Sequence, residues 1–298
     1  MLRSAMAPFP ALLLTAALLP VAAQAAVSVR DDAGNAVTLA RPALRVIAMA
    51  PHITELVYAA GGAGKLVGAM NFSDYPEAAK RLPLVGNNEQ VDLEKVLSLK
   101  PDLLVVWKSG NTSRQLEQLK GLGLPIFYSE PERLDDIATS LTRLGQLLGT
   151  EAAAQAAARE FRKKIATLAA QYAQRPPVRV FYQIWEKPLF TLNGQHIVSA
   201  AIGLCGGQNI FAQLKVLAPS VSTEAVLQAN PEAIFGGETH ADGERGVGIW
   251  REYKGLLAQQ RGNLFTLNGE LMTRSTPRMA DGIAQLCGQL ESARQRRP

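Results

Sequence analysis

The side chains able to do chemistry are few and widely spaced. The chain has three histidines, His52, His196 and His240, and none stands near another at metal-ligand spacing. A histidine metal site would need all three to converge. A Ser/His/Asp arrangement can assemble from any order in the chain. Yet there is no G-x-S-x-G elbow, no G-x-G-x-x-G turn and no phosphate-cradling G-x-x-x-x-G-K-[ST] loop. The Gly-rich stretches Gly61-Gly-Ala-Gly64 and Gly203-Leu-Cys-Gly-Gly207 follow helical segments, where C-terminal capping explains them. The expectation is therefore a binding protein, with no enzyme activity, metal site or resident cofactor.

One carboxylate pattern occurs twice. Val91-Asp-Leu-Glu94-Lys-Val96-Leu97 followed by Pro101 recurs as Val221-Ser-Thr-Glu224-Ala-Val226-Leu227 followed by Pro231, with Glu94 and Glu224 130 residues apart. Each copy leads into an apolar run, Leu103 to Trp107 and Ala233 to Phe235. A polar opening, a first-turn glutamate, a short helix, proline and a strand make one αβ unit. Its recurrence predicts two similar lobes, each showing a carboxylate at the same place. The bland role for each glutamate is a helix-dipole contact worth ~0.3–1 kcal/mol.

Aromatic residues at strand ends are the other candidates. Tyr75 and Trp107 lie where strands of the first lobe give way to loops, and Trp185 ends the first strand of the second. Ligands of open parallel sheets bind beyond the carboxyl ends of strands, so Tyr75 and Trp107 should face a cleft, with Trp185 and Trp250 on the opposite wall. Planar faces on both walls suit a large, partly apolar, ring-containing ligand.

These residues must be carried by regular elements, and the chain supplies them in order. Residues 1–25 read as a secretory signal peptide: Arg3, an apolar stretch from Pro10 to Ala22, and an Ala23-Gln-Ala25 cleavage site. Removal leaves about 273 residues with net charge near +4, enough for two cores and too weakly basic for nucleic acid. A β-hairpin from Val27 to Leu39 opens the first lobe, 26–148, in which short strands alternate with helices. Residues 149–176 form a long helix with apolar Phe161, Ile165, Leu168 and Tyr172 on one face, and the second αβ lobe occupies 177–298. The fold class is α/β: two lobes with mainly parallel sheets, joined by a rigid helix, with a cleft between them. The basic cluster Arg294 to Arg297 reads as a frayed, solvated tail. An oxidising compartment favours pairing Cys205 with Cys287, since no histidines stand by them for a metal site.

Taken together, the motifs resemble the periplasmic substrate-binding proteins with a helical backbone, which serve ABC importers of cobalamin, iron-siderophores and haem. The cobalamin-binding members are the nearest likeness. The likeness rests on Ala50-Pro-His-Ile-Thr-Glu-Leu56, Ser73-Asp-Tyr-Pro76, Asp92-Leu-Glu94, Leu99-Lys-Pro-Asp102, Trp107-Lys-Ser-Gly-Asn111 and Arg114-Gln-Leu-Glu-Gln-Leu119. In the second half it rests on Cys205-Gly-Gly-Gln-Asn-Ile-Phe211, Ser222-Thr-Glu-Ala-Val-Leu227, Ser275-Thr-Pro-Arg278 and Gln285-Leu-Cys287.

The resemblance implies a monomer in the periplasm that binds cobalamin or another corrinoid as transported ligand and meets transmembrane permease subunits. It assigns corrin contacts to Tyr75, Trp107 and a five-residue loop, Glu270, Leu271, Met272, Thr273 and Arg274, and implies that Cys205 and Cys287 are bonded. Leu271 and Met272 depart from the aromatics of that loop, and Trp185 is the candidate replacement wall. Glu94 and Glu224 become the carboxylates that dock on permease arginines. His52 is expected to cap a loop near the cleft rather than reach a metal. A siderophore or haem cargo is the alternative within the fold, and a periplasmic metal-binding protein or enzyme the alternative outside it. The rigid helix implies small closure on binding.

Overall fold

The computed structural model describes residues 26–87, 89–238 and 246–298. The signal-peptide segment and His240 lie outside the described residues. Strands β1 (Val27–Arg30) and β2 (Ala36–Leu39) pair antiparallel as the expected hairpin. Asp31 shapes its turn by accepting the Ala33 and Asn35 N–H groups at 2.9 and 2.8 Å.

The first lobe follows with β3 (Val46–Ala48), α1 (Pro51–Ala59), β4 (Leu66–Ala69), α2 (Leu93–Ser98), β5 (Leu103–Trp107), α3 (Ser113–Lys120) and β6 (Ile126–Ser129). Two helices come next, α4 (Leu134–Leu148) and α5 (Glu151–Tyr172). The second lobe comprises β7 (Val178–Gln183), α6 (Ile197–Leu204), β8 (Gly207–Asn209), α7 (Thr223–Ala229), β9 (Ala233–Gly237), α8 (Leu257–Gln260), β10 (Leu264–Leu267), α9 (Gly269–Thr273) and α10 (Met279–Gln295).

Both lobes are parallel four-stranded sheets of the same topology. The first runs β4-β3-β5-β6 and the second β8-β7-β9-β10, so each opening strand is flanked by its second and third strands. α2 and α7 hold equivalent places, each entering the third strand of its sheet, and carry Glu94 and Glu224 in their first turns. Asp92 caps α2 by accepting the Lys95 N–H at 2.8 Å, and Ser222 caps α7 through the Ala225 N–H at 3.2 Å. Topology thus supports the duplication that the sequence pattern pointed to.

Strand alternation divides the core. In β5, Leu103 and Val105 face one side while Leu104 and Val106 face the other. In β7, Val178, Val180 and Tyr182 face one side while Phe181 joins Trp250 beneath the opposite face. The inner set is continuous: it runs from Val46 and Leu103 through Leu141 of α4 and Phe161 of α5 to Val180 and Leu286. The lobes therefore share one buried core with the two helices. Burying this apolar surface from both sides resists opening, since each exposed Å² costs roughly 25 cal/mol. α4 and α5 approach closely at Gly145, where a Cβ would stand 2.3 Å from the Ala154 Cβ.

Cys205, at the C-terminal end of α6, is bonded to Cys287 of α10, with Cα atoms 4.8 Å apart. The bond lies within the second lobe. The C-terminal arginines, read as a solvated tail, are instead engaged. Arg294 donates to the carbonyls of Pro176 and Cys205 at 2.8 and 2.6 Å, and Arg297 reaches both Glu232 oxygens at 2.9 and 3.0 Å. The Pro176 carbonyl after α5, the Cys205 carbonyl at the end of α6 and the Glu232 carboxylate hold them, partners that no local pattern displays. Replacing both cysteines with serine should lower unfolding free energy by about 2–4 kcal/mol. Urea denaturation checks this, and an unchanged midpoint would mean the bond adds nothing to the packed α6–α10 contact.

Candidate functional site

A hollow of about 320 Å³ opens beyond the carboxyl ends of the strands, with His52, Trp107 and Glu130 from the first lobe and Tyr182, Ile184, Leu192, His196 and Thr273 from the second among its lining. Two neighbours adjoin it. One of about 640 Å³ shares Ser109, Glu130 and His196; another of about 290 Å³ shares Trp107 and is rimmed by Phe72. This is the place expected of a ligand in an open parallel sheet.

Trp107 is built from below. The Asn111 side chain accepts the Trp107 backbone N–H at 2.8 Å and donates to the Met49 carbonyl at 3.1 Å, tying the ends of β3 and β5. Gly110 lies against the indole, where a Cβ would fall 1.8 Å from a ring carbon. The indole N–H points to Glu130 at 3.4 Å, and His52 meets the ring edge-on with centroids 5.0 Å apart. Glycine and asparagine in Trp107-Lys-Ser-Gly-Asn111 thus serve the tryptophan.

The two histidines that line the hollow differ. His196 caps α6, its Nδ1 accepting the Val198 N–H at 3.1 Å. Burial lowers its pKa to about 4. His52 sits on the first turn of α1 and makes no hydrogen bond among the described residues, so it does not take the loop-capping role expected of it, while His196 caps a helix. Burial, and then the charge of Arg274, lower the His52 pKa to about 4. Both rings are neutral at pH 7.

The lobes are bridged by charge. Glu55, 4% exposed on α1, accepts Arg274 at 2.9 Å and Arg278 at 3.1 Å on one oxygen, and the Thr276 hydroxyl at 3.0 Å on the other. Arg274 also reaches Asp74 at 2.7 Å, Glu270 at 2.9 Å and the Phe72 carbonyl at 3.3 Å. Burial alone would lower the Arg274 pKa, but the bonds to Asp74 and Glu55 outweigh it and raise it. Arg278 stacks 3.7 Å from the Tyr75 ring centroid, and Tyr75 stays about half exposed. Phe72 is 76% exposed at φ +66°, a left-handed conformation uncommon for a bulky residue.

The residues expected at the site divide accordingly. Trp107 and Thr273 line the hollow, and Tyr75 and Trp185 are about half exposed, the Trp185 indole N–H bonding the Lys187 carbonyl at 3.0 Å. Trp250 is fully buried: it packs edge-on against Phe181 and donates its N–H to Gln183 at 2.7 Å, on the sheet face away from the inner core. The segment read as a loop at Glu270–Arg274 is the short helix α9, capped by Asn268. α9 packs on α10 and buries Met272, while Leu271 is half-buried beside Gly282. Arg274 and Glu270 are spent on the bridge. Glu55 lay within a motif read from the sequence and Phe72 one residue before another; His196 and Tyr182 gave no signal beyond a cap position and a strand.

A family model described as "periplasmic binding protein" matches residues 46–271. The chain belongs to this family. A curated vitamin B12-binding protein of Vibrio cholerae is 41% identical over 254 residues, covering 85% of this chain and 91% of that protein. The crystal structure of a periplasmic vitamin B12 binding protein of Vibrio cholerae superposes with TM-score 0.79 at 41% identity, covering 85% of this chain and 99% of the other. A periplasmic heme binding protein of Pseudomonas aeruginosa is 27% identical with TM-score 0.69, covering 83% and 92%. The two-lobe α/β fold read from the sequence is thus that of these binding proteins. Among the described residues no group of three His, Cys, Asp or Glu side chains could hold a metal ion, and no helix is long and apolar enough to cross a membrane.

Removing one partner of a buried ion pair typically costs ~3–5 kcal/mol, so Glu55→Ala should destabilise the protein by about that much. Urea unfolding measures it. A loss below about 1 kcal/mol would place the bridge among solvated pairs.

Proposed function

We propose that this periplasmic binding protein captures cobalamin or a related corrinoid between its lobes and delivers it, unaltered, to an ABC importer. The observation that carries this reading is the inter-lobe hollow walled by Trp107, with the exposed Phe72 lining the hollow that adjoins it; Tyr75 and Trp185 are exposed aromatics that we assign to the same wall. Flat apolar faces suit the face and edge of a large macrocycle, and the open rim admits a cargo larger than the hollow itself. The relatives named for vitamin B12 point the same way. Residues 1–25 serve as the export signal, 26–148 and 177–298 as the lobes and 149–176 as their connection, placing the mature protein in the periplasm as a monomer. Ligand contacts fall to Tyr75, Trp107, Trp185, Leu271 and Thr273.

Docking on the permease belongs to Glu94 and Glu224. Both are exposed in first helical turns. The helix of a βαβ unit runs antiparallel to its strands, so these N-termini lie on the carboxyl-end side of each sheet, beside the cleft. Glu224 is held below the usual carboxylate range by its own backbone N–H and then by Ser222, which keeps it ionised. Two charges on lobes that do not move apart can set orientation and capture rate even though each pair is weak.

Spectral titration of the mature protein with cyanocobalamin, haemin and a ferric siderophore should give saturable micromolar or tighter binding of the corrinoid. Binding of haemin or the siderophore alone would move the assignment to that cargo. In vesicles carrying the permease, the Glu94→Ala/Glu224→Ala protein should lose transport while its binding isotherm stays superimposable. A collapse of binding would make these carboxylates structural.

A further inference from the structure

We propose that His52 supplies an axial nitrogen to the cobalt of a corrinoid whose upper position holds an exchangeable ligand. This rests on the corrinoid reading of the cleft and goes beyond it by naming a bond between protein and cargo.

Two imidazoles line the hollow from opposite lobes, and only one has a nitrogen lone pair to give. His196 Nδ1 is committed to the Val198 N–H, so its neutral ring must carry the proton on Nε2, which makes it a donor. His52 is 6% exposed and makes no hydrogen bond among the described residues, yet it borders the hollow. A neutral imidazole always leaves one nitrogen unprotonated. The His52 ring nitrogens are not among the buried atoms left without a partner, so the ring keeps access to the hollow it borders.

The surroundings favour coordination over protonation. Trp107 holds the ring edge-on at a centroid distance of 5.0 Å, which limits its freedom to turn away. Arg274 is already bonded by Glu55, Asp74 and Glu270, yet its charge adds to burial in keeping His52 neutral. A macrocycle lying against Trp107 in the hollow would pass beside His52, which lines the same hollow. The bond forms by substitution: the imidazole lone pair enters cobalt(III), bound water leaves as a neutral molecule, and no electron is transferred. Cyanide is a far poorer leaving group than water, so a cyano-capped face should resist the exchange.

The test compares aquocobalamin with cyanocobalamin on the mature protein, with equilibrium dialysis for binding and visible spectra for coordination. Bound aquocobalamin should show the band shift of an imidazole–cobalt bond, cyanocobalamin should not, and the affinity ratio should favour the aquo form at least about tenfold. In the His52→Phe protein the shift should vanish and the ratio fall toward one, while the His240→Gln protein keeps both. Aquocobalamin bound by the unaltered protein with unshifted bands overturns the inference without any variant, so a His52→Phe protein that fails to fold does not leave it open. Loss of the shift in His196→Gln but not in His52→Phe also overturns it. If neither corrinoid binds, the cargo reading fails and this inference with it.

Discussion

A carboxylate on α1 is held in the protein interior by groups from the other lobe. Glu55 accepts from Arg274, Arg278 and Thr276, partners more than two hundred residues later in the chain. A buried ion pair is weak evidence of stability, because desolvation offsets much of the attraction. What it imposes is geometry: moving the lobes apart would leave the Glu55 carboxylate and the Arg278 guanidinium without their ion-pair partners and Arg274 with Glu270 alone. The continuous apolar core through α4 and α5 imposes the same condition by a different force. Both oppose hinge motion, so the cleft is largely formed before its ligand arrives.

The same network shapes the first-lobe rim beside the hollow. Arg274 bonds the Phe72 carbonyl and Asp74, and Arg278 lies on Tyr75, so the rim of the first lobe is positioned by the second. Lobe spacing and the placement of Phe72 and Tyr75 are one constraint. Trp107 is fixed independently, from within its own sheet, by Asn111 and the space left at Gly110. A rim set by two supports can hold a rigid planar cargo at low ordering cost.

Alternation of strands and helices, the doubled αβ unit, the first-turn positions of Glu94 and Glu224 and the long α5 helix were all legible, because they follow from local periodicity and capping. The inventory of the site was legible only in part. Trp107 was found because it ends a strand. Trp250 was misplaced because a tryptophan's position in the chain does not say which face of the sheet it covers. Met272 was read as a loop residue from the family resemblance, and a five-residue helix has too few turns to show a period that would have corrected it.

The chain by itself determined the elements, their order and the residues that cap them, since these depend on neighbours within about four positions. Tertiary structure alone decided what each charged or aromatic side chain meets. Arg274 looked like a ligand contact until its partners appeared across the cleft, and Arg294 and Arg297 looked solvated until the Cys205 carbonyl and the Glu232 carboxylate beside them came into view. His52 and His196 became distinguishable only when one was seen to cap a helix and the other to lie against Trp107 without a hydrogen bond. The physical reason is common to all of them: burial and pairing energies are set by contacts between residues far apart in the chain, which no local spacing encodes.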